Sequence, residues 1–409
     1  MECRICQSNV EPFMSFGMMP ISNCFLKPEQ FSDEYFYELK PVFCKNCATF
    51  QIAEQPDPSR MFHENYAFFS RTSERMVEHF KTYANWVQKE FLVEDDPFVV
   101  EIGSNDGAML ENFAQCGIRH IGIEPSANVA DEARKYNVNT MTAFFNSETA
   151  KKIVEEYGQA DALIAANVMC HVPDLREIAE GIDRLLKPTG VFVFEDPYLG
   201  DMVDKTSYDQ IYDEHVFIFS GRSVSNIFGP YGFELIDLKP QSTHGGSMRF
   251  VFARKGKRSI SQEVKKCLVR EEKQGLHLAS TFDQFRKNCE ESRKQLVALL
   301  NKEKIAARRV VGYGATSKSA TVLNYCNIGS DLIEFISDTT PVKQGKYSPG
   351  AHIPVRSYEE FKNNYPDKTL LFAWNHKGEI MEKETVFNEN GGQWIVYVPQ
   401  VDVIKSDFL

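Results

Sequence analysis

The stretch Pro97-Phe98-Val99-Val100-Glu101-Ile102-Gly103-Ser104-Asn105-Asp106-Gly107 fixes the fold class of this chain. A short apolar run ends at a glycine turn, and an amphipathic stretch, Ala108 to Cys116, follows. Glycines placed there let the backbone turn tightly and approach a ligand closely. His120-Ile121-Gly122-Ile123-Glu124 is the next apolar strand, and Ala162 to Ala166 and Val191 to Glu195 continue the alternation. Strand, helix, strand in that order predicts an α/β domain with a parallel sheet and crossover helices. Glu124 closes the second strand about 20 residues on, where an acid accepts hydrogen bonds from ribose hydroxyls.

The charge around the turn narrows the ligand. Asn105 stands where Gly-x-Gly-x-Gly has its middle glycine, and Glu101 and Asp106 flank the turn. A pyrophosphate wants helix N–H groups with no acid beside them. Acids suit a cationic sulfonium and an amino-acid ammonium instead. The expected cofactor is S-adenosylmethionine, with an NAD-dependent oxidoreductase as the alternative. Its expected contacts are Glu101, Gly103, Ser104, Asn105, Asp106, Gly107, Glu124, Pro125 and Asn167. Asp161, before the strand that leads to Asn167, belongs to the same set. Phe144 and Phe145 either flank the adenine or pack in the core.

Outward from this turn the chain divides into three: residues 1–65, 66–258 and 259–409. The first part is irregular and proline-rich, too small to form a core unaided. Cys3-x-x-Cys6 and Cys44-x-x-Cys47 form two knuckles within it. Two such turns close a four-sulfur site suited to structural zinc, with no open position for catalysis. From Ser259 to Arg308 the chain is charged and helical in pattern. Arg309-Val310-Val311-Gly312-Tyr313-Gly314 then starts a second, smaller α/β unit, with strands expected at Leu332–Ser337, Thr369–Ala373 and Trp394–Val398. Gly314, Ser317 and Lys318 lie at an expected helix N-terminus, a natural anion site.

The net charge of −11 over 409 residues argues against sequence-independent nucleic-acid binding. No apolar stretch approaches the roughly 20 residues of a membrane helix, and the start carries no signal peptide. A cytoplasmic protein is expected, so the ten cysteines read as metal ligands or buried thiols before disulfides.

The chain resembles the nucleotide-sugar C-methyltransferases that act on 4-keto-6-deoxyhexoses. The resemblance runs through the cysteine knuckles, Glu64-Asn65-Tyr66, Val100 to Gly107 and Ala166-Asn167-Val168 with His171-Val172-Pro173-Asp174. It continues in Tyr212-Asp213-Glu214-His215, His244-Gly245-Gly246-Ser247-Met248-Arg249, Gly312-Tyr313-Gly314-Ala315 and Trp374-Asn375. It implies a zinc module, a Rossmann-like class I methyltransferase domain and a second Rossmann-like domain, with the sugar nucleotide in the cleft between the last two. It further implies methyl transfer from S-adenosylmethionine to carbon 3 of the sugar. By that resemblance Tyr212, Glu214 and His215 are at the active site, Tyr66 and His171 touch cofactor or sugar, and Trp374 and Asn375 belong to the sugar side.

The chemistry stands apart from the resemblance. Carbon methylation needs a carbon nucleophile, and a base beside a ketone generates one. His215 is the expected base, its ordinary pKa lying near neutrality. Glu214 and Tyr212 are placed to orient it or to stabilise an enolate. Ser247 and Arg249 follow a glycine pair, and Arg249 is expected to pair a phosphate or to sit on the surface of a turn. Thymidine and guanosine diphosphates remain equal choices for the nucleotide, and a monomer is preferred.

Overall fold

Four short strands form the N-terminal module: β1 (Met18–Pro20), β2 (Phe36–Glu38), β3 (Pro41–Cys44) and β4 (Thr49–Ile52). β1 pairs with β2 and β3 with β4, both antiparallel. In this computed structural model of the protein, residues 1–57, 61 and 69–405 are described. Tyr66 lies outside the described residues.

The middle domain opens with α1 (Glu74–Phe91). Ser73 caps it, its hydroxyl accepting from the Met76 amide, and Phe80, Tyr83, Ala84 and Val87 line its buried face at helical spacing. Then come β5 (Phe98–Ile102), α2 (Glu111–Gln115), β6 (Arg119–Glu124), α3 (Ala127–Lys135) and β7 (Thr140–Thr142). α4 (Ser147–Tyr157), β8 (Ala160–Ala166), α5 (Leu175–Leu185), β9 (Leu186–Pro197) and α6 (Leu199–Lys205) follow. The domain closes with β10 (Phe217–Ile218), α7 (Gly221–Phe228), β11 (Phe233–Gln241) and β12 (Ser247–Arg254).

Seven of these strands form one sheet in the order β11-β12-β9-β8-β5-β6-β7. β5 to β9 are parallel, whereas β12 runs antiparallel to both β9 and β11. All of β5 is buried, as expected of a central parallel strand covered on both faces. The order reverses between β5 and β8, and the crevice at their carboxyl ends is where such sheets bind ligands. Asp161 is not at that end. It accepts from the Phe98 amide and pairs with Lys187, both at 2.8 Å, so it staples the start of β5.

α8 (Gln262–Gln274) and α9 (Ala279–Ile305) are the helix pair expected from the charge pattern. They do not simply begin the last domain. Glu271 of α8 accepts from the Gly221 and Arg222 amides at 2.6 and 3.0 Å, capping α7 with a buried carboxylate. Phe282 of α9 stacks on Phe43 of the module at 4.1 Å. The last unit holds β13 (Val310–Tyr313), α10 (Ser317–Tyr325), β14 (Ile336–Ser337), β15 (Val355–Arg356), β16 (Lys368–Leu371), β17 (Gln393–Val396) and β18 (Asp402–Lys405). Its sheet runs β15-β14-β13-β16-β17-β18. Only β18 is antiparallel, so a second Rossmann-like sheet is in place.

One pairing ties the module to the middle domain. β10 adds to β4, giving a sheet of order β10-β4-β3. The edge of β4 thereby gains backbone partners that a module of this size cannot provide for both sides. Ile52 also donates to the Val216 carbonyl at 2.9 Å.

Candidate active site

The glycine turn after β5 sits at the sheet's switch point. Gly103 has φ +69°, and a Cβ there would lie 2.4 Å from Val168, so only glycine lets the turns after β5 and β8 approach this closely. Gly103 and Ser104 both donate to the Ile123 carbonyl, at 2.8 and 3.2 Å. Glu124 accepts from the Asn105 and Ser126 amides at 2.9 and 2.8 Å. A carboxylate has about four acceptor positions, so two remain for a ligand. Burial, Asp106 and Glu124 raise the Glu101 pKa well above the carboxylate range. The Glu101 Oε2, Ser104 Oγ and Ser126 Oγ atoms are buried without a hydrogen-bond partner. Unsatisfied acceptors clustered in an acidic turn fit a ligand that brings hydroxyls and positive charge. That is the composition of S-adenosylmethionine.

Two neighbours of this turn carry no local sequence signal. Ser70 donates its amide to the Asn105 side chain at 3.0 Å, and Arg71 donates its amide to Asp106 at 2.8 Å. Arg71 also pairs with Glu111 at 2.6 Å. Asp106 is thus engaged from outside the turn. Pro125 separates Glu124 from the Ser126 that precedes α3. Asn167 holds a left-handed φ of 57° and donates to the Glu195 carbonyl at 2.7 Å. The two phenylalanines part company. Phe145 belongs to the main core and packs against Gly181, whereas Phe144 stands exposed. Of the adenine-flanking pair, only Phe144 presents a free ring.

Arg249 and Ser247 are placed differently from the expectation. The Arg249 Nε and Nη2 both donate to one Glu195 oxygen, at 3.1 and 2.8 Å, and its guanidinium lies 3.7 Å from the Tyr83 ring centre. Glu195 also meets His79 at 2.7 Å and Thr243 at 2.9 Å. Both partners of the ion pair are buried, so Arg249 ties β12 to β9 through Glu195. The Ser247 hydroxyl donates to the Thr243 carbonyl at 3.1 Å. Arg249→Met is therefore expected to destabilise the fold by about 3–5 kcal/mol, the cost of stranding a buried charge. Urea unfolding measures this. Unchanged stability with a raised KM would return Arg249 to the phosphate.

His215 lies between the end of β9 and β10. Its Nδ1 is 2.7 Å from the Gln210 carbonyl. A carbonyl only accepts, so Nδ1 carries the proton and Nε2 holds the lone pair. The Tyr212 hydroxyl donates to Nε2 at 2.8 Å. His171, from the 3-10 turn Met169–His171, stacks on His215 with ring centres 5.4 Å apart. Burial lowers His171 to about 4. Burial, then His171, hold His215 well below the imidazole range. Glu214 shifts the other way: burial and Asp213 push its carboxyl up to about 8. Neutral imidazoles thus sit beside a carboxyl that keeps its proton, with the shifts driven apart by environment.

The C-terminal unit closes the other side. Lys318 donates to the His244 carbonyl at 3.1 Å, and Trp374 donates from Nε1 to Asp209 at 2.6 Å. Gly245 has φ +86°, and a Cβ there would be 2.2 Å from the Trp374 ring. Asn375 is part-buried beside Trp374 in the turn Trp374–His376. The anion-site expectation at Gly314 and Ser317 meets an obstacle. Asp338 accepts from the Ala315 amide at 2.6 Å, and Ser319 donates to its own N-cap Thr316 at 3.3 Å. The turn is already served by a carboxylate, which repels a pyrophosphate. Ser317 instead donates to Asn23 of the module at 3.0 Å.

The four cysteines of the knuckles come together as the spacing predicts. Cys3 and Cys47, and Cys6 and Cys44, have sulfurs 3.5 Å apart, and all four lie within 4.8 Å of one another. A tetrahedral zinc with Zn–S of about 2.3 Å spaces its sulfurs about 3.8 Å apart. Gln51 donates to the Cys3 sulfur at 3.1 Å, the kind of outer-shell contact that steadies a thiolate. Among the described residues, no helix is long and apolar enough to cross a membrane.

Comparison with known proteins agrees with this layout. Residues 3–62 match a family model described as "Putative zinc binding domain", residues 76–238 a "Methyltransferase domain" and residues 242–399 a "C-methyltransferase C-terminal domain". Among solved structures, the PH0226 protein of Pyrococcus horikoshii OT3 is 16% identical, covering 49% of this chain and 100% of that one with a TM-score of 0.38. The magnesium protoporphyrin IX methyltransferase of Synechocystis PCC 6803 is 17% identical, covering 44% and 83% with a TM-score of 0.33. Scores at that level leave the fold argument to the chain's own sheet. The C-methyltransferase NovU of Streptomyces niveus is 33% identical over 410 residues, covering 99% of this chain and 97% of that one. With a four-cysteine zinc site, an acidic S-adenosylmethionine turn and three matching domains, the chain belongs to the C-methyltransferase family.

Proposed function

We propose that this methyltransferase alkylates carbon 3 of a nucleotide-linked 4-keto-6-deoxyhexose, as part of making a branched deoxysugar. The observation that carries this reading is the buried, neutral His215, whose Nε2 lone pair faces the Tyr212 hydroxyl and whose ring stacks on His171, a residue hydrogen-bonded to the Val168 that lies against Gly103. S-adenosylmethionine, when bound, supplies an electrophilic methyl group. Glu101, Gly103, Ser104, Asn105, Asp106, Gly107, Glu124, Pro125, Asn167 and the exposed Phe144 ring would hold it.

His215 Nε2 takes the proton from the carbon beside the ketone. Its Nδ1 keeps its proton and donates it in a hydrogen bond to the Gln210 carbonyl, so the ring cannot turn away. Tyr212 shifts its hydroxyl from Nε2 to the ketone oxygen as the sugar enters, freeing the base and steadying the enolate. The Glu214 carboxyl, kept protonated by burial and Asp213, donates a second hydrogen bond to that oxygen. His171 holds the plane of His215 by stacking. Lys318, Trp374 and Asn375 border the sugar nucleotide from the C-terminal side, with Ser317 and Gly314 behind them.

The test is hydrogen exchange in deuterated water with thymidine- and guanosine-diphospho-4-keto-6-deoxyhexoses. One nucleotide should gain a single methyl mass when S-adenosylmethionine is present and lose the proton beside the ketone. No exchange and no methylation on either would remove the keto-sugar from this cleft. The pH dependence is a second expectation. The Glu214 carboxyl is raised to about 8, so turnover should decline as the pH rises past that value and the proton is lost. Glu214→Gln, which cannot ionise, should lose this alkaline decline.

A further inference from the structure

The zinc module reaches the catalytic motif through one side chain. Asn23 follows β1 in a turn, and its Nδ2 donates to Glu214 Oε1 at 2.6 Å. Its Oδ1 accepts from the Ser317 hydroxyl at 3.0 Å, at the start of α10. One amide therefore joins all three parts of the chain. The adjacent Ser22 donates its backbone N–H to Asp213 at 3.2 Å, so two consecutive module residues grip two consecutive motif residues. The module is anchored behind the motif as well, by β10 on β4 and by Asn226 donating to the Cys47 carbonyl at 2.9 Å.

We infer that Asn23 is a positioning residue of the active site: its amide fixes one oxygen of Glu214, leaving the other oxygen and its proton aimed at the substrate, and Ser317 fixes which way the amide faces. This rests on the role proposed for Glu214. An amide offers a donor and an acceptor on opposite atoms. With Ser317 donating to the oxygen, the NH₂ group must turn to Glu214. A carboxyl held at one oxygen has a single direction left for its proton. The groups facing Glu214 are Asp213 beside it, Lys343 from the loop after β14, Tyr37 from β2 and Cys170 from the turn after β8. Lys343 is held by the Ala315 carbonyl at 2.8 Å. Asn23 is the neutral group that touches the carboxyl directly.

The test compares Asn23→Ala and Asn23→Asp with the full-length wild type. Asn23→Asp keeps the shape but sets an acid against Glu214 in place of the donor, whereas Asn23→Ala removes the donor without adding charge, so a shift shared by both reports the lost hydrogen bond. Both variants should keep one zinc per chain and wild-type affinity for S-adenosylmethionine. On the keto-sugar, kcat should fall by about 10- to 100-fold, the range for a hydrogen bond to a charged or buried carboxyl, with Asn23→Asp the worse. The alkaline limb should move to higher pH, because losing a donor to the carboxylate makes Glu214 hold its proton longer. Ser317→Ala should move both in the same direction by less. Infrared titration of the Glu214 carboxyl band, identified by its absence in Glu214→Gln, needs no substrate. That band should persist to higher pH in both Asn23→Ala and Asn23→Asp than in the wild type. Equal band titration in Asn23→Ala and the wild type overturns the inference, as does wild-type turnover by Asn23→Ala. A wild-type enzyme inert towards keto-sugars, with the band shift present, would instead overturn the substrate reading alone.

Discussion

His215→Asn is expected to lower kcat by about 10²- to 10⁴-fold, the usual contribution of a positioned general base. Affinity for S-adenosylmethionine should hardly change, since the ring's hydrogen bonds go to the Gln210 carbonyl and the Tyr212 hydroxyl rather than to the cofactor turn after β5. Asparagine keeps a donor for the Gln210 carbonyl but has no basic nitrogen. Loss of solvent exchange at the sugar carbon should accompany loss of methylation, because both need the same proton removed. Near-normal turnover would move the base elsewhere in the cleft. Tyr212→Phe discriminates further. It removes the donor to Nε2 while leaving the base, so exchange should survive better than methylation.

The second large effect is at the metal. Cys44→Ala should release zinc and unfold the module, since a structural zinc contributes about 10–16 kcal/mol of apparent binding energy to small domains. The module's share of apolar burial is too small to replace that. Activity should fall with it, because β10 and Asn23 connect the module to Glu214 and His215. Metal analysis, circular dichroism and turnover on one preparation check this. A metal-free protein that stays folded and active would show that the sulfurs are not a zinc site.

The glycine turn, the cysteine knuckles and the Tyr212–His215 motif were all readable along the chain. Each is local: a left-handed backbone at Gly103, two thiolates per knuckle, and titratable groups within four positions. The Arg249–Glu195 pair is not legible along the chain, because Glu195 lies across a β9–β12 pairing and nothing near Arg249 in sequence announces a buried carboxylate. Phe144 and Phe145 are adjacent and chemically identical, so only the packing of Phe145 against Gly181 tells them apart. The turn at Gly314 to Ser317 has a partner of the same hidden kind. Asp338 arrives from the end of the next strand, β14, to take the Ala315 amide. Ser70, Arg71 and Asn23 had no signal, being single polar residues in loops.

The boundary expected at 258/259 rests on composition, and composition does not show that α8 packs on α7 through Glu271. A two-residue strand such as β10 has no period to detect, so its place on β4 had to come from the assembled fold. Sequence alone determined what is set by backbone geometry and short spacing: two α/β sheets, the acidic cofactor turn and the four-sulfur site. Tertiary structure alone decided which groups are buried together, and therefore the His215 tautomer, the proton on Glu214 and the reach of Asn23. Those properties depend on removal from water and on partners tens to hundreds of residues away, and neither leaves a periodic trace along a chain.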